Sequence, residues 1–148
     1  MIKNYTSTVM VSRSVQHIED RLVRFGAKSI MKEYDSQKFL DTIAFIVCIQ
    51  GKEIPFKLPA RVLNVEKVLK GQIRRSPTAA QLQKIKDQAE RTAWKLVSDW
   101  VDIQLSLVEL GQVELLEVLL PYIYDVADGK TFFEKIKESG FKMLEMKQ

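Results

Sequence analysis

From residue 82 to residue 110, apolar side chains return every three or four positions: Leu82, Ile85, Ala89, Ala93, Leu96, Trp100, Ile103, Leu107 and Leu110. That spacing predicts a single helix of about eight turns with one continuous apolar stripe. Thr78-Ala79-Ala80-Gln81 reads as a capping box at its start, with Ser76 ahead of Pro77 as the other candidate cap, and Gly111 reads as its stop. A second stripe, Trp94, Val97, Val101, Leu105 and Val108, begins only halfway along, so the later half needs cover on two sides. A sheet and the apolar stretch 113–120 supply part of that cover. A subunit contact through Trp94, Val97, Val101 and Leu105 is expected to supply the rest, which makes a homo-oligomer an expectation.

The residues ahead of the long helix read as sheet and short helices. Tyr5, Val9 and Val11 alternate with Thr6 and Thr8, which predicts a first strand over 2–11. Ser12 then caps a helix whose apolar positions are Val15, Ile18, Leu22 and Phe25, ending at Gly26. Residues 28–34 alternate weakly, 35–38 are turn-like, and 39–49 are apolar almost throughout, as in a central strand buried on both faces. After the tight turn at Gln50-Gly51-Lys52, Ile54, Phe56 and Leu58 alternate with polar residues, and Pro55 places this strand at an edge. A short helix over 60–70 follows, with Val62, Val65, Val68 and Leu69 inward, then a connector at 71–77 that mixes Gly, Pro and positive charge. Beyond the long helix, Asp128-Gly129 turns the chain and Thr131-Phe132-Phe133-Glu134 opens a last short helix ending near Gly140. The expected fold is α+β: a small antiparallel sheet in the order β-α-β-β-β, packed on a C-terminal helical layer with one long central helix. At 148 residues the chain suits one domain, with a sheet-containing half at 1–70 and a helical half at 78–148.

Charge is the most informative functional feature. Residues 1–75 hold 14 Lys and Arg against 7 Asp and Glu, whereas 76–148 hold 9 against 12. The contrast sharpens locally, because 57–95 contain ten basic and three acidic residues and 99–128 contain seven acidic residues and no basic one. A basic zone of this kind, including the Arg74-Arg75 connector, attracts a phosphate backbone. Lys57, Arg61, Lys67, Lys70, Arg74, Arg75, Lys84 and Lys86 are the candidate nucleic-acid contacts, with DNA, single- or double-stranded, as the expected partner. Tyr5, Tyr34 and Phe39 are candidate stacking faces on the sheet beside Lys32 and Lys38. The plainer reading is a solvated basic face. The acidic stretch suits either the wet side of helices or a protein partner, so an inhibitor or adaptor module is the competing function class.

Enzyme chemistry finds little to stand on. With one histidine, His17, and one cysteine, Cys48, the chain lacks a Cys/His zinc set or a usual Ser-His or Cys-His pair. His17 falls off the apolar stripe and reads as exposed, and Cys48 reads as a small apolar residue of a buried strand. Asp99 with Asp102, and Asp125 with Asp128, are spaced to share a Mg²⁺ ion, but no further ligands accompany them. Gly129-Lys130-Thr131 lacks the earlier glycine of a phosphate loop. A non-enzymatic protein with no cofactor or metal is expected. The chain carries no apolar run of membrane-span length and no apolar signal core, which leads to the expectation of an intracellular, cytoplasmic protein without a membrane partner.

The segments 26–35 (GAKSIMKEYD), 54–59 (IPFKLP), 88–94 (QAERTAW) and 119–122 (LLPY) resemble a family of small uncharacterised proteins carried by bacteriophages and other mobile elements, over most of the chain. The resemblance implies a bacterial mobile-element setting and an intracellular role, and it supplies no functional residues.

Overall fold

The computed structural model describes residues 1–147. Three antiparallel strands, β1 (Ala27–Tyr34), β2 (Leu40–Ile49) and β3 (Lys52–Pro59), form one sheet in the order β1-β2-β3. Five α-helices accompany it among the described residues: α1 (Val11–Arg24), α2 (Val62–Lys70), α3 (Ala79–Glu109), α4 (Leu115–Leu119) and α5 (Phe132–Glu138). The fold is therefore α+β with one long helix at its centre, and α1 and α2 both pack against α3.

The strand expected at 2–11 does not form. Residues 3–6 turn, with Asn4 in the left-handed region at φ 65°, and the helix is already running at Val11 with Met10 as its N-cap rather than Ser12. Side chains of α3 replace a strand partner: Thr92 Oγ1 donates to Asn4 O at 2.8 Å, and Gln88 Nε2 donates to Ser7 O at 3.1 Å. With its carbonyls satisfied in this way, the segment has no need of a sheet neighbour.

β2 occupies the centre of the sheet. Its inward line Ile43, Phe45 and Val47 is buried, and Phe45 stacks on Phe56 across the β2–β3 pair with ring centroids 5.3 Å apart. The register jumps between Glu33↔Thr42 and Tyr34↔Leu40, so Asp41 is an extra residue on β2. This bulge leaves Asp41 exposed and brings Leu40 into the core. Trp94 of α3, with no exposed surface, donates its indole N–H to Leu40 O at 2.9 Å and ties the helix to the strand. On the opposite face Thr42 and Ala44 are buried, whereas Cys48 is exposed, contrary to expectation: its neighbour in register is Glu53, one pair from the Gln50-Gly51 turn at the tip of the hairpin. β3 is an edge strand, as Pro55 requires, and Tyr124 N–H donates to Pro55 O at 3.1 Å beside an isolated Phe56↔Ile123 bridge.

On α3, residues of both stripes enter the core, and most of the expected subunit contact is among them. Ala89, Ala93, Trp94, Ser98, Val101 and Leu105 are buried within the chain, so Trp94, Val101 and Leu105 are core and cannot form a subunit contact. Val97 is only half-buried and borders an apolar hollow with Leu96, Trp100 and Ile103. Of the first stripe, Ile103 on α3 and Leu110 at its C-cap are left exposed. Both sequence capping boxes are present, Thr78 with Gln81 and Thr131 with Glu134. Among the described residues, no helix is long and apolar enough to cross a membrane.

Candidate nucleic-acid interface

The connector after α2 keeps its cations close to the helix. Gly71 N–H donates to Lys67 O and Ile73 N–H to Lys70 O, so the chain makes another tight turn before Arg74 and Arg75, both exposed. Lys67 and Lys70, three residues apart, are neighbours on the α2 surface. The Thr78 cap then starts α3, and Lys84 on its second turn borders a hollow of about 520 Å³ together with Leu69 and Gln72 from the end of α2. Ile85, Asp87, Gln88 and Arg91 complete the α3 wall, and Tyr5, 38% exposed, closes the hollow from the N-terminal turn. Arg91 is held in place: its Nε donates to Ser7 O at 3.3 Å and its Nη2 to Gln88 Oε1 at 2.7 Å.

The eight candidate basic residues separate into groups. Lys67, Lys70, Arg74, Arg75 and Lys84 lie at the junction of α2, the connector and α3. Of these, only Lys70 makes an ion pair among the described residues, with Glu66 at 2.8 Å. Lys86, two positions from Lys84, points to another side of α3. Arg61 sits at the opposite end of α2 from Lys70, about 14 Å along the axis, in the left-handed region at φ 53°. Lys57 is removed from the interface altogether. Its Nζ donates to Gly129 O at 3.2 Å, lies 3.9 Å from Glu33, and stands 4.7 Å from the centre of the Tyr124 ring. Lys57 and Arg61 instead border a separate cleft of about 790 Å³, where with Lys137 they face the four carboxylates of Glu33, Asp41, Glu134 and Glu138.

The aromatic residues divide in a similar way. Tyr5 stands beside Lys84 rather than on the sheet, Phe39 is half-buried, and Tyr34 is exposed at the end of β1. Lys32 is occupied by Glu19 at 2.9 Å. Sequence reasoning passed over Gln72, Gln88 and Arg91 as site residues. Lys84, Gln88 and Arg91 fall at i, i+4 and i+7 on one helix face, and that polar line beside the apolar stripe was the available signal.

The carboxylate pairs serve the fold. Asp99 accepts from Lys95 at 2.7 Å and from Asn4 at 2.9 Å. Burial pushes its carboxyl up, but these hydrogen bonds and the charges of Lys95 and Lys3 outweigh burial and hold it below the ordinary value. Asp102 pairs with His17 at 2.7 Å and Arg21 at 3.1 Å, joining α1 to α3, and Lys135 reaches both Asp125 and Asp128. Among the described residues, no group of three or more His, Cys, Asp or Glu is placed to hold a metal ion. No family model, curated protein or solved structure matches this chain.

Proposed function

We propose that this protein is a non-enzymatic accessory factor that binds single-stranded DNA, with the backbone along Lys67, Lys70, Arg74, Arg75 and Lys84 and a base against Tyr5. The observation that carries the reading is the hollow in which a partly exposed tyrosine stands beside Lys84 and Arg91, with the exposed Arg74 and Arg75 following its lining residue Gln72 in the chain. Cations tracking the phosphates and an aromatic face for a base are the two components of sequence-tolerant single-strand binding. The mobile-element resemblance accords with DNA as the polymer.

Fluorescence anisotropy with labelled single- and double-stranded DNA over a salt series tests it. Arg74→Ala with Arg75→Ala is expected to weaken binding and flatten its salt dependence by about 1.4 in the log-log slope, at about 0.7 per phosphate contact. Tyr5→Ala is expected to cost about 1–3 kcal/mol on single strands while leaving the slope unchanged. A titration that stays flat in dilute buffer, or equal losses on single- and double-stranded DNA for Tyr5→Ala, overturns the reading.

A further inference from the structure

The corner where α3 passes into α4 and the C-terminal segment both present uncovered apolar side chains, and the two differ in charge. At the corner, Leu110 is 70% exposed beside a hollow of about 730 Å³ formed by Val113, Leu116 and Leu120, with Glu114 and Glu117 on its rim. Neither glutamate makes an ion pair among the described residues, and Glu117 accepts only from the Glu114 backbone N–H. They lie in the stretch 99–128, which has no basic residue.

At the other end, Phe141 turns the chain through the left-handed region at φ 61° into the short 3-10 turn Lys142–Leu144. Met143, Leu144 and Met146 are 71%, 66% and 93% exposed, and Lys142, Glu145 and Lys147 stand among them, two cations against one carboxylate, none with an ion pair among the described residues. Exposed apolar side chains grouped together mark contact surfaces, and opposite net charge on the two surfaces sets which one docks.

We infer that the α3–α4 corner receives the C-terminal segment of a second copy of this chain, with Met143 and Leu144 entering the hollow and Lys142 and Lys147 over Glu114 and Glu117. One chain carries both parts of the contact and leaves both open, so a second copy supplies what each lacks. This contact involves none of the residues around Tyr5 and stands independently of nucleic-acid binding.

Sedimentation velocity of the full chain over a concentration series, at low and high salt, tests the inference. The parent protein is expected to associate as concentration rises and to dissociate with salt. Lys142→Glu with Lys147→Glu, and separately Glu114→Lys with Glu117→Lys, are each expected to abolish association with circular dichroism unchanged. Mixing those two variants restores opposite charges at both contacts and is expected to restore association. A parent that stays monomeric throughout, association that neither charge reversal weakens, or a mixture that fails to reassociate overturns the inference.

Discussion

Trp94 fastens the two layers together. Its ring is fully enclosed and its indole N–H meets a carbonyl that the Asp41 bulge has turned inward. Trp94→Phe removes this donor to Leu40 O and vacates part of the ring volume. It is expected to lower the unfolding free energy by about 2–4 kcal/mol, read as a lower urea midpoint. Glu90 behaves differently. Burial, then the charges of Asp87 and Asp35, hold its carboxyl above the ordinary glutamate value. The native state therefore takes up its proton more readily than the unfolded chain does. The stabilisation linked to this group is complete below the unfolded pKa and disappears as pH rises through the folded one. Glu90→Gln is expected to raise the melting temperature at neutral pH, with the gain vanishing below about pH 4. Neither role was readable from the sequence, since Leu40 lies 54 positions from Trp94 and Asp35 lies 55 from Glu90. Lys57 is a similar case: as a letter it is one more cation, and only Gly129, 72 positions away, shows that it holds a turn.

At the level of elements, the signals encoded over short distances were the readable ones. The α3 start, the α5 start, the β2–β3 hairpin and the edge position of the Pro55 strand each depend on residues within a few positions of one another. Thr78→Ala tests one of them. It removes the acceptor for Gln81 N–H at the start of a 31-residue helix and is expected to cost about 1 kcal/mol. Hydrogen exchange should locate the loss in the first turn of α3, leaving the amides around Trp94 protected. The strand expected at 2–11 failed for the converse reason. Its alternation is real, but its carbonyl partners are the α3 side chains Gln88, Arg91 and Thr92, more than 80 positions away. The stripes of α3 were readable as stripes. Which of them faces the sheet is a matter of three-dimensional packing, and the contacts of Asp102 with His17 and Arg21 between α1 and α3 help to fix it.

Across the whole molecule, charge is graded along α3: up to residue 95 it carries Lys84, Lys86, Arg91 and Lys95 against Asp87 and Glu90, and beyond it Asp99, Asp102 and Glu109 with no basic residue. Under the proposed function, five cations at the basic end predict a log-log salt slope near −3.5 for a single strand, or about a 100-fold loss of affinity from 50 to 200 mM salt. The candidate residues were identifiable as a basic stretch, but their division between a junction and a separate cleft was not, because a helix of nine residues separates Arg61 from Lys70. One further point follows from the way residues 1–10 are held. They contribute Tyr5 to the hollow without belonging to a sheet or helix, and their anchors are side-chain hydrogen bonds rather than a backbone ladder. Such a strap opens at a lower free energy than the core beneath it. A sample can therefore keep its full ellipticity and its cooperative melt after losing the ring that faces the ligand, so that integrity of shape and competence to bind are two separate properties of this molecule.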